Sequence, residues 1–305
     1  MKKKLCRITA LLLAAVLSLG GCGQPGAGKK RTDSTQQTEE TKNKKEDQSK
    51  SDKKGPEIDG LTYESTMDLT YATEFDVYDY KDGYKLLDVH EDRQYLVVPE
   101  GKEAPEGLSE DIVVLQQPLD HIYMAATAIM SLLDAVDAID QVKFSGLNAS
   151  GWYVEDAKKA MESGDMIYAG KYSEPDYETL VNGECDLAVE STMILHTPKV
   201  QEMIEDLDIP VFVDYSSYES HPLGRTEWIK LYGAMLNKED AADSFFEKQA
   251  QVIEKLKGFE NTEKTVAYFY VNTDGSIVVR KSEDYIPSMI EIAGSCLPAD
   301  AGDRK

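Results

Sequence analysis

The sequence predicts an α/β protein of two three-layer α/β lobes joined by a long backbone helix, with the second lobe truncated. Short apolar segments alternate with amphipathic helical segments between residues 112 and 213. A helix-prone stretch follows, and the alternation resumes near residue 260. Strands separated by helices favour a parallel sheet with helices on both faces. We therefore expect an N-terminal lobe over 61–221, an inter-lobe helix over 222–258 and part of a C-terminal lobe over 259–305.

The first 21 residues have the composition of an export signal. Four basic residues among the first seven precede an almost unbroken apolar run over 8–19, and Gly20 and Gly21 lead to Cys22. The run is shorter than the roughly 20 residues that a membrane span needs, which is typical of a signal peptide. The order resembles the lipobox of bacterial lipoproteins. That resemblance implies a lipid on Cys22 and a place at the outer face of the cell membrane; a cleaved signal with an incidental cysteine and a transmembrane anchor are the alternatives.

Residues 22–60 have the composition of a linker. Ile58 is their only large apolar residue, and Lys, Glu, Asp, Gln, Ser and Thr dominate. Such a segment buries too little surface to offset its conformational entropy, so we expect disorder. As a flexible coil it would reach roughly 30 to 35 Å, which suits a tether between a lipid and a folded domain.

The charge excludes one class of partner. Residues 1–60 contain 13 of the 33 basic and 8 of the 56 acidic residues, so residues 61–305 retain 20 basic and 48 acidic residues, a net charge of −28. A surface this acidic repels polyanions, and we expect no nucleic-acid binding.

Two cysteines remain for the folded part once the signal is removed and Cys22 is lipidated. Cys185 precedes an apolar segment and is predicted to be a core residue, and Cys296 is far away in sequence. No pair of closely spaced cysteines or cysteine–histidine cluster indicates a metal site. Sequence alone leaves open whether Cys185 and Cys296 pair.

The individual elements follow from periodicity and turn residues. We predict strands over 71–80, 84–89, 95–98, 112–115, 142–144, 186–189 and 211–213, and helices over 120–136 with Asp120 as N-cap, 154–161, from Pro175, and 198–207.

A helix-prone stretch over 223–257 interrupts this rhythm, with a possible break at 237–240. At 1.5 Å per residue even a broken helix of this length would span roughly 40 to 50 Å, too long for an ordinary crossover. Beyond it we predict paired strands over 265–271 and 276–279 and a helix over 285–293.

This layout resembles the substrate-binding lipoproteins of ABC importers, in the branch that takes up iron–siderophore, haem and cobalamin complexes. The resemblance rests on the order of four stretches: 82–87 (DGYKLL), 178–189 (ETLVNGECDLAV), 222–228 (PLGRTEW) and 285–294 (YIPSMIEIAG). It implies two lobes with a ligand between them and a long helix that resists hinge motion. The chain departs from the family in the few residues that follow Gly294.

The resemblance implies the capture of an iron or cobalt chelate and its delivery to an ABC permease, with no cofactor and no catalysis. Ligands in open α/β sheets bind outside the carboxyl ends of the strands. Aromatic faces suit a macrocycle or catechol, and an arginine suits an anionic group. The residues expected to bind ligand are Gln116, Gln117, Trp152, Tyr153, Glu190, Ser191, Thr192, Tyr215, Tyr218, His221 and Arg225.

Structural roles compete with several of these assignments. Trp152 could cap a helix, and Arg225 could pair with Glu219 or Glu227. Glu178 lies where related binders present a carboxylate to an arginine pocket of the permease, although an exposed helix glutamate would look the same. The family resemblance also implies a permease-contacting carboxylate in the second lobe. Its position is not assigned, and Glu283 and Glu291 are the candidates.

Three other functions remain open. A bare-metal lipoprotein would hold Zn²⁺ or Mn²⁺ with several histidines and carboxylates; no His-rich loop is present among the four histidines, so no metal centre is expected. His221 could instead coordinate haem iron. A surface hydrolase lacks support, because no nucleophile elbow or phosphate loop occurs. An interaction lipoprotein without a small ligand is the third alternative.

Overall fold

The computed structural model describes residues 54–90, 92–256, 264–280 and 284–295. The signal peptide, Cys22, most of the linker, Glu283 and Cys296 lie outside these residues. No helix in the described part of the chain is long and apolar enough to cross a membrane.

A mixed five-stranded sheet opens the described chain. Its strands lie in sequence order, antiparallel except for the last, parallel pair. Alternate residues face opposite sides, as strand geometry requires: Tyr78 and Tyr80 enter a small core, whereas Phe75 and Val77 enter the main core. The strands are β1 (Tyr63–Thr66), β2 (Phe75–Tyr80), β3 (Lys85–Val89), β4 (Gln94–Val98) and β5 (Ile112–Gln116).

The packed part of the chain begins within the predicted linker. Ile58 is buried in the small core, and the Tyr80 hydroxyl donates to the Pro56 carbonyl at 2.6 Å. The single large apolar side chain of residues 22–60 therefore belongs to the folded domain.

A second, wholly parallel sheet carries the strand–helix alternation. Its order is β12-β11-β6-β7-β8, so β6 and β11 are the neighbours from which the chain winds outwards in both directions. The parallel sheet expected from the sequence is confirmed. Its strands and the small hairpin that interrupts them are β6 (Ile122–Met124), β7 (Val142–Ser145), β8 (Ile167–Tyr168), β9 (Gly170–Lys171), β10 (Glu174–Pro175), β11 (Leu187–Ser191) and β12 (Val211–Asp214).

Helices cover both faces of this sheet. Phe212 contacts Tyr232 with ring centroids 5.9 Å apart, whereas Phe144, which points to the opposite face, lies against Gly183. The helices of the first lobe and its junction are α1 (Met130–Ala135), α2 (Glu155–Ser163), α3 (Tyr177–Asn182), α4 (Pro198–Glu205), α5 (Pro222–Leu236) and α6 (Glu239–Leu256).

Two sequence-based assignments in this lobe are wrong. The helix expected over 120–136 is the strand β6 followed by the short α1, because Ile122, Tyr123 and Met124 are buried between β7 and β11. The segment 112–115, expected to begin the parallel sheet, is β5 and pairs with β4 in the first sheet. Both errors arise because a short apolar run does not identify its partner.

The helix-prone stretch forms a helical hairpin. The chain reverses at Asn237, whose φ of 56° places it in the left-handed region, and the Lys238 N–H bonds the Gly233 carbonyl. Lys230 consequently lies over the Phe246 ring, with its Nζ 4.8 Å from the centroid. The predicted break is confirmed, but the expected length is wrong: the 18-residue α6 spans about 27 Å.

Beyond α6 the described chain forms a hairpin and a helix. β13 (Phe269–Val271) pairs antiparallel with β14 (Ile277–Val279), and α7 (Tyr285–Ile292) follows, capped by the Asp284 side chain. Both strands of the hairpin expose apolar side chains. The paired strands and the helix agree with the sequence prediction.

Two buried glutamates, Glu219 in the loop before α5 and Glu227 within α5, fasten the segment before β2. The Glu227 carboxylate accepts the backbone N–H groups of Thr70, Tyr71 and Ala72 at 2.7 to 3.0 Å. The Glu219 carboxylate accepts those of the next two residues, at 2.9 to 3.0 Å. These bonds use donors that a strand would need, which is why β2 begins at residue 75 rather than 71.

Replacing Glu227 by Gln should lower the free energy of unfolding by about 3 kcal/mol, since Glu227 is fully buried and its charge accepts three N–H groups. Urea denaturation followed by circular dichroism measures the change. Glu247→Gln, at an exposed position of α6, is the matched control. Equal stability of the two variants would contradict the role given to Glu227.

Candidate ligand-binding site

Each strand of the parallel sheet leads into a loop at its carboxyl end, and these loops lie along one edge of the sheet. In sheet order, Tyr218 follows β12, Thr192 follows β11, Tyr153 follows β7, and Tyr168 ends β8. Tyr153, Tyr168 and Tyr218 expose 97%, 43% and 59% of their surface. Aromatic faces are therefore available along the edge at which open α/β sheets bind ligands.

The loop after β12 is held by a buried carboxylate. Asp214 accepts the N–H and hydroxyl of Ser216 at 3.2 and 2.6 Å and the hydroxyl of Tyr232 at 2.8 Å. Burial raises the pKa of Asp214 to about 6, although these hydrogen bonds oppose the rise. Tyr215 is buried, and its ring centroid lies 5.4 Å from that of Tyr218. Tyr218 is thus the exposed member of a fixed aromatic pair.

Arg225 connects this loop to the second lobe. Its Nε donates to the Glu219 carbonyl at 3.1 Å, and its Nη2 donates to the Ser217 carbonyl. Its Cζ lies 3.6 Å from the centre of the Tyr285 ring in α7, a cation–π contact. Burial lowers the pKa of Arg225 and the positive Arg280 adds to this, while Tyr285 and other neighbours oppose it.

A cavity of about 560 Å³ lies where these elements meet. Arg280, which follows β14, also lines it, with its Nη1 3.4 Å from the Asp284 carboxylate. Two guanidinium groups therefore border one cavity in an acidic protein. The lining residues are Ser217, Tyr218, Glu219, Ser220, Arg225, Val278, Val279, Arg280, Asp284 and Tyr285.

His221 has a structural role at the start of α5. Its Nδ1 accepts the Leu223 N–H at 3.1 Å, and its ring stacks on Tyr71 with centroids 4.6 Å apart. The lone pair of Nδ1 accepts this hydrogen bond and cannot also coordinate a metal ion. Coordination of haem iron by His221, left open by the sequence, would therefore depend on the other ring nitrogen.

The pair Trp152 and Tyr153 divides between core and surface. Trp152 is 6% exposed, and its Nε1 donates to the Ser145 hydroxyl at 2.9 Å. Tyr153 is almost fully exposed. Only Tyr153 presents its ring to solvent, and its contact with a ligand stays a prediction.

Gln116 and Gln117 end a strand of the first sheet rather than of the parallel sheet. The Gln117 amide donates to the Met235 carbonyl at 2.9 Å, and the Gln116 amide donates to the Val98 and Pro99 carbonyls at 3.3 and 3.2 Å. These bonds attach the end of β5 to the end of α5 and to the end of β4. The reasoning that placed both glutamines at the parallel edge is thus corrected.

Glu190 lies at the end of β11, beside the point where the chain changes direction across the sheet. It is 0% exposed, and neither carboxyl oxygen has a hydrogen-bond partner in the described part of the chain. Burial raises its pKa to about 9, so it is protonated at neutral pH. Ser191 and Thr192 are half-buried, and the Ser191 hydroxyl accepts the Met193 N–H at 3.4 Å.

Glu178 is exposed in the first turn of α3. Asp176 caps this helix by accepting the Thr179 N–H at 3.1 Å, so the cap does not depend on Glu178. An exposed carboxylate here is compatible with a contact to a permease, and that contact stays a prediction.

Sequence reasoning missed the second-lobe side of the cavity and part of the edge. Arg280 follows a predicted strand, so the rule used for the first lobe would have selected it. Tyr285 stands at a predicted helix start, where its orientation towards Arg225 had no sequence signal. Met193, 46% exposed after β11, had the same strand-end signal as Thr192.

Glu190→Gln should abolish part of the pH dependence of stability. The wild-type acid has a pKa near 4.5 when unfolded and about 9 when folded, so the folded state holds more protons in between and stability falls as pH rises. The slope is about 1.4 kcal/mol per pH unit from pH 5 to 8, and the neutral amide removes it. Urea midpoints at both pH values measure this. Glu178→Gln is the exposed control; an unchanged slope in Glu190→Gln would refute the assignment.

No protein-family model matches the chain. It is 27% identical over 201 residues to an uncharacterized lipoprotein of Methanocaldococcus jannaschii, and the match covers 61% of this chain and 46% of the relative. The chain thus spans about half the length of that relative.

Two solved structures match part of the chain. The periplasmic heme-binding protein HutB of Vibrio cholerae matches with a TM-score of 0.49 and 20% identity, over 59% of this chain and 66% of that one. An ABC transporter substrate-binding protein of Listeria monocytogenes matches with a TM-score of 0.45 and 18% identity, over 60% and 66%.

Proposed function

We propose that this protein is an extracytoplasmic solute-binding lipoprotein that captures an anionic metal chelate in the cavity between the loop after β12 and the β14–α7 segment. The observation that carries the proposal is that Arg225 and Arg280, from two different segments, line one cavity of about 560 Å³. A cavity of this size suits a small molecule rather than a polymer.

Charge supports an anionic ligand. Residues 61–305 have a net charge of −28, whereas the cavity lining has two arginines beside two acids, Glu219 and Asp284, and the Glu219 carboxylate is turned to backbone N–H groups. Of the five N–H groups of Arg225, two donate to backbone carbonyls, which fixes the side chain. The remaining donors can bind a carboxylate or catecholate in a planar, two-point arrangement.

Aromatic surface supports a chelate with flat organic groups. Tyr218 and Tyr285 both line the cavity, and Tyr153 is exposed farther along the same sheet edge. Stacking on such rings stabilises aromatic ligands without requiring further charge. The chelates that combine planar groups with negative charge include haem and ferric catecholate siderophores. Cobalamin, the cobalt chelate of the family resemblance, has the macrocycle without the net negative charge.

The protein binds without performing chemistry and passes the chelate to an ABC permease. Glu178 is the first-lobe carboxylate proposed to contact that permease. The lipid on Cys22 keeps the binding domain near the membrane that contains its partner. The linker spans the distance between the lipid anchor and the binding domain.

Arg225→Ala and Arg280→Ala should each weaken binding of the cognate anionic chelate by about tenfold or more, since each removes a charge-assisted contact. Fluorescence quenching and native mass spectrometry of the purified protein with haem, ferric siderophores and cobalamin measure this. Arg93→Ala, which removes an ion pair with Glu205 outside the cavity, is the control. Failure of all these ligands to bind, or equal affinity in all three variants, would contradict the proposal.

Cys22→Ser should release the protein from the membrane, because a serine hydroxyl cannot replace the acylated thiol. In a bacterial host labelled with radioactive palmitate, the wild type should partition with membranes and carry label, and the variant should do neither. Cys6→Ser, within the signal, is the matched control and should behave as wild type. Retention of label by Cys22→Ser would place the lipid elsewhere.

A further inference from the structure

A cluster of potential metal ligands lies at the opposite edge of the parallel sheet from the cavity. Asp120 and His121 immediately precede β6, and Asp186 immediately precedes β11, the neighbouring strand. One donor atom from each of the three side chains lies within 4.8 Å of the others. Strand pairing thus assembles, at the amino-terminal edge, residues that are 65 positions apart in sequence.

The Asp186 carboxylate is fixed on one side and unsatisfied on the other. Its Oδ2 accepts the backbone N–H groups of Asp120 and His121 at 2.8 and 2.9 Å. Its Oδ1 is buried and has no hydrogen-bond partner in the described part of the chain. A buried carboxylate oxygen without a partner is costly, and a bound ion is one of the recognised explanations.

The charges around this oxygen favour a cation. Asp120 Oδ1 lies 3.2 Å from His121 Nδ1, so the second carboxylate and the imidazole are already adjacent. A positive ion among the three would offset the repulsion between the carboxylates.

The donor set indicates the kind of ion. An imidazole with two carboxylates suits borderline cations such as Zn²⁺ or Mn²⁺, with water completing the coordination. Ca²⁺ and Mg²⁺ prefer oxygen ligands alone. We propose that Asp120, His121 and Asp186 bind one divalent transition-metal cation at the amino-terminal edge of the sheet, where it ties together the starts of β6 and β11.

The site is independent of chelate capture. Its residues precede the strands, whereas the cavity is built from loops that follow them and from the second lobe. The sequence predicts no metal centre, because no two of its histidines are close in the chain and Asp186 gave no sign of its spatial neighbours. The proposal therefore stands or falls separately from the proposed function.

Calorimetric titration of the chelator-treated protein with Zn²⁺, Mn²⁺ and Mg²⁺ tests the site. We expect one equivalent of Zn²⁺ or Mn²⁺ to bind and to raise the melting temperature, with Mg²⁺ much weaker. His121→Ala and Asp120→Asn should each reduce the affinity by about tenfold or more. Both positions are partly exposed, so circular dichroism should show a folded protein.

His196→Ala, at an exposed histidine outside the cluster, and Arg225→Ala, in the cavity, should retain full metal affinity. The site would be overturned if the wild type bound neither Zn²⁺ nor Mn²⁺. It would equally be overturned if His121→Ala and Asp120→Asn bound the metal as the wild type does, or if His196→Ala abolished binding. Loss of metal binding in Arg225→Ala would place the metal in the cavity instead.

Discussion

The carboxylates of Glu219 and Glu227 bind five consecutive backbone N–H groups, those of residues 70–74, and the candidate site depends on this contact. Glu219 also accepts the Trp228 indole N–H at 3.1 Å, so the segment before β2, the loop after β12 and α5 are fixed together. Gly224 permits the approach, because a Cβ there would lie 2.9 Å from a Glu219 carboxyl oxygen. A buried carboxylate is tolerated only when its hydrogen bonds are complete, and here the backbone completes them.

The position of Arg225 follows from that contact. Its Nε donates to the backbone carbonyl of Glu219, the residue whose side chain is fixed by the segment before β2. Asp214 fixes the other end of the same loop through Ser216 and Tyr232. The Arg225 guanidinium is therefore bonded to a loop that is fixed at both ends, and it contacts Tyr285 from that position. A binding group oriented in advance loses little conformational entropy when a ligand arrives.

Particular residues show how far the sequence could predict the site. The rule that ligands bind at the carboxyl ends of parallel strands selected the loop after β12, with Tyr218 and Arg225, which the structure places at the cavity. The same rule selected Gln116 and Gln117, which lie elsewhere, because periodicity shows that β5 is a strand but not that it pairs with β4. Trp152 was selected for its ring, and burial removes that ring from solvent. Tyr285 could not be found, since its stacking on Arg225 joins positions 60 residues apart.

The sequence by itself determined the acidic character of the domain and the strand–helix alternation, because each is a local property of composition or periodicity. The export signal with Cys22 is predicted from a local pattern of the same kind. It also determined the break at 237–240, which residue preferences near Asn237 express. Only the tertiary structure decided that α5 and α6 fold back on each other, that Glu190 is a protonated buried acid, and that Asp186 lies against Asp120 and His121. Those outcomes depend on contacts between distant segments, and the free energy of such contacts is set by burial and hydrogen bonding that no local pattern records.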